Sequence, residues 1–350
     1  MKTAILIPTF SAPYGIEKAV ADQARDFACQ GHEVTIFTLK GGIEPPQNVK
    51  LEVLGMPNSL LFEKIYRLLF PFAFIKWMKW VRRLKGFDII YSHDYPMHWL
   101  AYLVKRRYGI RYIYFHHHFN PPQAFPTFIE RTYIRLKSPL EKWTIRKADG
   151  AISRSQFSRQ QLKNETGLDS QVIYDKVDAE RFHKGIDGTR IRQSCNLGNA
   201  PVIFFAGRLT PTKGIHLLIE AFNLIKRQIP EAKLVIVGTR YFTGYSKQLR
   251  KMSDSSTIFV GGIPDGEVPY YYAMSDVCAT ASLAEGFNLF LAEAQACGKP
   301  VVAFDIGPHA ELIKDKEMVV LVPARDTKAM ADAIIKFLAK KAASHGEFQK

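Results

Sequence analysis

Cysteine is scarce and scattered in this chain of 350 residues: Cys29, Cys195, Cys278 and Cys297 are the only four, with no C-x-x-C pair. That spacing argues against a disulfide framework or a zinc knuckle and suits a reducing compartment. Long apolar runs are lacking too. The longest, Leu68 to Ile75, is far short of the roughly 20 residues a helix needs to cross a bilayer, which argues against an integral membrane protein. No basic-then-apolar leader precedes the first strand-like stretch, so the chain is expected to fold in the cytoplasm. Low-complexity tracts and internal repeats are missing, and 23 Gly and 19 Pro are too few for a collagen-like or disordered chain. Acidic residues are outnumbered, 33 against 48 basic ones, for a net charge of +15. Residues 1–177 hold 26 Lys+Arg against 15 Asp+Glu, a net of +11, and residues 178–350 hold 22 against 18, a net of +4. A basic half asks for an anionic partner: nucleic acid, acidic lipid or a phosphorylated substrate.

The length suits two domains, each able to bury its own core. Short apolar stretches alternate with helical ones. Thr3–Pro8 reads as a strand, followed by a loop from Thr9 to Gly15 and a helix from Glu17 to about Gln30, with Gly31 as its stop. Glu33–Thr38, Asp88–Ser92, Arg111–Phe115 and Gly150–Ser153 continue as strands. The pattern restarts at Pro201–Gly207, with a helix from Gly214 to about Gln228 and strands at Lys233–Gly238, Thr257–Val260, Val277–Ala279, Pro300–Phe304 and Val319–Val322. Such alternation predicts two doubly wound, mostly parallel sheets in tandem, joined around Val172 to Lys184. Open sheets of this kind bind ligands outside the carboxyl ends of their strands, and two of them facing each other would place a site in the cleft between them.

Two clusters could carry chemistry. Gly207 to Gly214 (GRLTPTKG) follows a strand and opens a helix. Arg208 and Lys213 beside a helix N-terminus make a diphosphate clamp, although the Walker order is absent and a solvated loop would look the same. The second cluster, Glu285 to Ala294 (EGFNLFLAEA), runs into a helix from Leu289 to about Gly298. The amides of Asn288, Leu289 and Phe290 could cradle a phosphate at its start. Eight residues of helix put Glu285 and Glu293 ~12 Å apart at ~1.5 Å per residue. Glycoside hydrolase pairs sit ~5–9.5 Å apart, so two separate hydrogen-bonding tasks fit better than hydrolysis. A dipole-complementing Glu285 and a mid-helix Glu293 are the plain alternative.

Together with Glu311 after VVAFDIG, these clusters resemble the retaining nucleotide-sugar glycosyltransferases of family 4, which have the GT-B fold. The stretches FAGRLTPTKGIHLLIEAF, KLVIVG, IFVGGIPDGEVPYYYAMSDV and EGFNLFLAEAQACGKPVVAFDIGPHAELI carry the resemblance, with weaker matches in GIEKAV, GHEVTIFT, FDIIYSHD, KADGAISRS and VDAERF. The resemblance implies an α/β protein of two tandem Rossmann-like domains facing across a cleft. Residues 1–177 would form the acceptor and membrane side, and residues 178–350 would bind the nucleotide-sugar. It implies that Gly207, Arg208 and Lys213 meet the diphosphate. Glu293 would hold the ribose and Glu285 the donor sugar. The amides of Asn288, Leu289 and Phe290 would meet phosphate and sugar. Gly262 and Ile263 would seat the base, and Gly15 would approach the donor from the first domain. The family carries a histidine at the end of the strand Arg111–Phe115, which points here to His116, with His118 as second choice. The chain departs from the family where Tyr14 precedes a single Gly15, where Asp175-Lys176 replaces Asn-Gly, and where Asn288 stands in place of a common Gly. It also stops soon after Leu338, leaving little for the usual C-terminal helix.

The run His116-His117-His118 could suggest a metal, but neighbours on a strand alternate faces and no carboxylate or Cys lies at ligand spacing. No metal and no cofactor beyond the donor substrate is expected. Residues 60–88 hold seven Lys or Arg, and Phe74, Trp77, Met78, Val81 and Leu84 fall on one helical face, with Trp80 beside them. That describes either a core-packing helix with a solvated basic face or a helix around 72–85 that docks on an anionic membrane through its cations, Trp77 and Trp80. No nucleic-acid motif accompanies the charge. The expected protein is therefore a cytoplasmic hexosyltransferase, peripheral on the inner membrane face. It would transfer from a nucleotide-diphosphate sugar to a lipid-linked or cell-surface glycan precursor. A nucleotide-sugar epimerase on the same fold and a noncatalytic, membrane-associated partner subunit are the alternatives.

Overall fold

In each half, consecutive residues of the central strand go to opposite layers, as a buried parallel strand requires. Ala4 and Leu6 pack on one side of their sheet, Ile5 and Ile7 on the other. Ile203 and Phe205 face one core, Val202 and Phe204 the other. The computed structural model describes residues 1–11, 15–57, 59–119, 121–125, 127–239 and 243–347. It divides into two compact units, Met1–Asp175 and Lys176–Lys350.

Among the described residues, the first unit has seven strands: β1 (Lys2–Phe10), β2 (Glu33–Gly41), β3 (Val49–Val53), β4 (Ile89–His93), β5 (Arg111–His116), β6 (Gly150–Ser153) and β7 (Gln171–Val172). They are parallel in the order β3-β2-β1-β4-β5-β6-β7. The second unit has six: β8 (Val202–Ala206), β9 (Lys233–Val237), β10 (Thr257–Gly261), β11 (Val277–Thr280), β12 (Val301–Phe304) and β13 (Val319–Val322). These are also parallel, in the order β10-β9-β8-β11-β12-β13. In each sheet the winding direction reverses beside the first strand, between β1 and β4 and between β8 and β11, which is where open sheets leave room for a ligand.

The first strand runs to Phe10, further than its apolar core suggests. Tyr14, noted for its place before Gly15, lies outside the described residues. The helix after that loop is Ile16–Cys29, capped by Gly15 at φ 69 and ψ −131, a backbone region that only glycine occupies readily. The last helix runs on to Glu347, well past Leu338.

The basic stretch buries the face its periodicity marks from Trp77 to Leu84 and leaves Phe74 exposed. It forms two helices, Leu60–Leu69 and Phe74–Arg83, with single 3-10 turns at Phe70–Phe72 and Leu84–Gly86. Trp80, Val81 and Leu84 belong to the core. Trp77 packs against that core, and its indole N–H donates to the Pro71 carbonyl at 3.2 Å. Trp80 is 7% exposed and meets Phe37 edge-on, and Trp77 is partly buried against the same cluster. The exposed apolar side chains are Phe62, Ile65, Leu69, Phe72, Phe74 and Ile75, with Phe72 80% and Ile75 82% exposed. Helix Leu60–Leu69 is turned inside out: its buried face carries Glu63, which binds Arg67 at 2.6 Å and faces Lys40 at 3.8 Å. Lys64 ties this helix to Glu130 of the helix Phe128–Ile145 at 3.2 Å, where Phe128, Ile129 and Leu136 are exposed in turn.

Candidate functional site

In the second unit, the loops that leave β8 and β11 meet at the switch point. The Leu283 N–H donates to the Thr212 carbonyl at 2.7 Å. Gly214 has φ +61, and a Cβ there would lie 1.9 Å from the Ala281 carbonyl oxygen, so only glycine lets the two loops come this close. The weld brings Lys213, in the 3-10 turn Pro211–Lys213, onto Glu285, with Nζ 2.5 Å from Oε1. The Glu285 side chain is 7% exposed and the Lys213 side chain 24%. Burial pushes the Glu285 carboxyl up, but the Lys213 charge and hydrogen bond, joined by the Ser282 hydroxyl, outweigh it and hold the group below the usual carboxylate range. Arg208, five residues earlier, is half-buried and forms no ion pair or side-chain hydrogen bond with another described residue.

The helix after Glu285 is Leu289–Ala296, with Asn288 as its N-cap in extended conformation. The Asn288 Oδ1 accepts from the Leu291 N–H at 3.3 Å. That explains the departure from glycine at this position: the asparagine closes one of the helix's orphan donors. Helix geometry leaves the Leu289 and Phe290 amides without an intrahelical acceptor. Glu285 thus sits in the loop before the helix, so the helical rise does not measure its distance from Glu293. Glu293, on the helix, accepts from the Tyr272 hydroxyl at 2.8 Å. Tyr272 is fully buried on the helix Val268–Met274 and orients that carboxylate, a function that the Tyr270-Tyr271-Tyr272 run hides among core aromatics. Gly207 closes β8, its N–H donating to the Val237 carbonyl at 2.9 Å. Gly262 and Ile263 follow β10, with Gly262 exposed. The structure therefore gathers Gly207, Arg208, Lys213, Glu285, Asn288, Leu289, Phe290 and Glu293 around the ends of β8 and β11, and sets Gly262 and Ile263 two strands away.

In the first unit, the carboxyl ends of β4, β5 and β6 carry a buried histidine network that the sequence pattern did not reveal. The His93 Nε2 pairs with Gln23 Oε1 at 2.9 Å, and its Nδ1 pairs with His117 Nε2 at 3.0 Å. The other His117 nitrogen meets Arg154 at 3.3 Å, and Arg154 is held by Asp175 in a two-pronged ion pair. A carbonyl oxygen on Gln23 can only accept, so His93 donates from Nε2, accepts from His117, and His117 accepts from Arg154: a directed chain of neutral rings. Asp175, noted above only as a departure, is its anchor. His116 is fully buried, with its nitrogens 3.3 Å from the Tyr114 hydroxyl and 3.3 Å from Gln161 Oε1. Burial first, then the nearby His118, pushes His116 down to about 3. With no accessible surface and both nitrogens used, His116 is not placed to touch a sugar; His118 is partly exposed. Beyond β5, a cavity of about 490 Å³ opens between Phe119, Pro121, Arg135, Pro139 and Lys142.

Among the described residues no group of three or more His, Cys, Asp or Glu could hold a metal ion, and no helix is long and apolar enough to cross a membrane.

Comparisons with known proteins agree with this architecture. The Glycosyltransferase Family 4 profile matches residues 13–181, and the profile described as Glycosyl transferases group 1 matches residues 187–348. A GDP-mannose-dependent alpha-(1-6)-phosphatidylinositol monomannoside mannosyltransferase of Mycolicibacterium smegmatis is 34% identical over 185 residues, 49% of this chain and 48% of that protein. This chain thus spans about half the length of that relative. A D-inositol 3-phosphate glycosyltransferase of Saccharomonospora viridis is 26% identical over 348 residues, 91% of this chain and 80% of that protein. Among solved structures, Anabaena Alr3699/HepE in complex with UDP and glucose has a TM-score of 0.80 at 23% identity, over 97% of this chain and 90% of that one. Sucrose-phosphate synthase from Thermosynechococcus elongatus has a TM-score of 0.80 at 22% identity, over 97% and 90%. At these identities the structural likeness establishes the fold.

Proposed function

This chain belongs to the group 1 glycosyl transferases with the GT-B fold, and from that premise we propose that it moves a hexose, with retention, from a nucleotide-diphosphate sugar to a hydroxyl of a lipid-linked or cell-surface glycan precursor. The observation that carries this reading is the Lys213–Glu285 pair beside a capped helix start at the β8/β11 switch point. Arg208 and Lys213 bind the diphosphate and offset the charge that grows on it as the sugar leaves. The Leu289 and Phe290 amides, with Asn288, add donors fixed in place before the reaction. Glu285 holds sugar hydroxyls, and Glu293, steered by Tyr272, holds the ribose. Gly262 and Ile263 seat the base. In the first unit Gly15 keeps its proposed donor-binding role, and the sugar-side role read for His116 is proposed for His118. The cavity beyond β5 is the proposed acceptor seat.

The membrane partner is read from a different face than the basic helix suggested. Phe62, Ile65, Leu69, Phe72 and Ile75, together with Phe128 and Ile129, are exposed, as are Lys76, Lys79, Arg131 and Arg135 near them in sequence. Apolar insertion flanked by cations suits an anionic lipid surface and a peripheral enzyme on the cytoplasmic face.

The test is a thermal-shift panel of GDP- and UDP-hexoses. A bound donor at a hundred times its Kd stabilises by about 2.7 kcal/mol. Lys213→Gln should keep the fold and lose about a hundredfold in turnover, ~2.7 kcal/mol of barrier. Near-normal turnover of that variant removes Lys213 from the reaction. A chain that binds no nucleotide-sugar is a noncatalytic subunit, and one that converts the sugar without an acceptor is an epimerase.

A further inference from the structure

We infer that His309 is a positioning residue: acting through Asn288, it holds the first turn of helix Leu289–Ala296 in the orientation that receives the donor diphosphate. The inference rests on the function proposed above. His309 is fully buried in the loop after β12, and no part of the donor clamp described so far includes it. Its Nδ1 lies 2.7 Å from the carbonyl oxygen of Phe304, the last residue of β12. A carbonyl only accepts, so Nδ1 carries the proton and, in the neutral ring, Nε2 is an acceptor. The Asn288 side chain lies 2.8 Å from Nε2 and must therefore present its NH2 group there. With the amide so turned, its oxygen faces the helix and accepts from the Leu291 N–H.

The result is one directed chain: Leu291 N–H to Asn288 Oδ1, Asn288 Nδ2–H to His309 Nε2, His309 Nδ1–H to Phe304 C=O. Every polar atom of the asparagine amide and of the imidazole that faces this interior has one consistent role, and reversing any member leaves two donors or two acceptors face to face. Asn288 is 3% exposed, so water does not compete for its amide. The helix start is thereby welded to the end of β12. The cap uses the Leu291 amide internally, so the ligand is left with the backbone amides of Asn288, Leu289 and Phe290 at a fixed angle. An unsupported asparagine could rotate its amide by half a turn, which would place NH2 against the Leu291 N–H and break the cap.

The experiment combines nucleotide titration with a double-mutant cycle, using GDP and UDP on the full chain. His309→Leu removes the acceptor and should weaken the bound diphosphate about five- to tenfold, near the size of a lost N-cap. His309→Gln, which can donate to Phe304 and accept from Asn288, should restore most of that affinity. In the Asn288→Gly background His309→Leu should change affinity less than twofold, because the residue through which it acts is gone. An equal loss in both backgrounds makes His309 a structural residue only and overturns the inference, as does a wild-type affinity in His309→Leu. Should the leucine variant not fold, the imidazole nitrogen resonances of the wild type decide: a proton on Nδ1 supports the chain, and a proton on Nε2 refutes it. A wild type that binds neither GDP nor UDP defeats the proposed function itself, a result distinct from all of these.

Discussion

Acid should strip stability from the first unit. His93, His98 and His116 are pushed down to about 3, in each case mainly by burial, with Arg154 adding to it at His93 and His118 at His116. His117 is driven well below its ordinary value, by burial first and then by Arg154. In the unfolded chain all four take up protons near pH 6.5. Below that pH the unfolded state binds more protons, so the stability these rings allow is complete above pH 6.5 and falls as the pH drops towards 3. At pH 5 the shortfall is about 1.5 pH units, on the order of 2 kcal/mol for each ring near 3. His93 and His117 are 3.0 Å apart and titrate together, so their losses do not simply add. Even two independent losses take ~4 kcal/mol from a total of about 5–15 kcal/mol. The assay is built into the sequence: Trp77, Trp80, Trp99 and Trp143 are the only tryptophans, and all lie in Met1–Asp175. Urea unfolding followed by tryptophan fluorescence therefore reads the first unit. With a slope of about 2 kcal/mol per molar urea, the midpoint should fall by at least about 1 M between pH 7 and pH 5. An unchanged midpoint would show that these rings are not held neutral, and the network drawn through Gln23, His93, His117 and Arg154 would be wrong.

Gly214→Ala should lower the thermal midpoint, at a cost of about 2–3 kcal/mol, because the added methyl meets a backbone oxygen at 1.9 Å and the residue sits at φ +61; an unchanged midpoint would mean the loops are not welded. Glu293→Gln should weaken nucleotide and nucleotide-sugar alike, and Tyr272→Phe should reproduce part of that loss without unfolding the chain; equal affinity in Tyr272→Phe and wild type would remove Tyr272 from the site. Replacing Phe72 and Ile75 by Ser should release the protein from anionic vesicles in co-sedimentation while leaving the thermal midpoint unchanged, since both side chains are already in water; retention of the variant on vesicles would exclude this face.

Both sheets were legible because buried parallel strands are short apolar runs, and β1, β2, β8 and β9 fall where such runs lie. The donor loops were legible because their charges and glycines sit close in sequence. Pairings across long separations were not: Lys213 and Glu285 are 72 residues apart and Asn288 and His309 are 21 apart, and no local pattern encodes either. In the basic stretch the periodicity of Phe74 to Leu84 marked the packed face, and Trp77, Val81 and Leu84 lie on it. It said nothing of Leu60–Leu69, where Glu63 is buried beside Arg67 while Phe62, Ile65 and Leu69 are exposed. The histidine run was ambiguous, since three adjacent rings look alike until Gln161, His93 and Arg154 claim two of them.

The Lys213–Glu285 contact also bears on product release. The two groups cancel each other, and a ligand that draws Lys213 away leaves a buried carboxylate in need of a new partner. A complete nucleotide-sugar supplies one in its sugar hydroxyls. The nucleoside diphosphate left after transfer does not, so on the proposed reading Lys213 is drawn back towards Glu285 and the spent nucleotide is held more weakly than the donor. Such an enzyme resists inhibition by its own product without holding its donor weakly, and Glu285→Gln, which frees Lys213, should trap the nucleotide and make turnover stall as product accumulates.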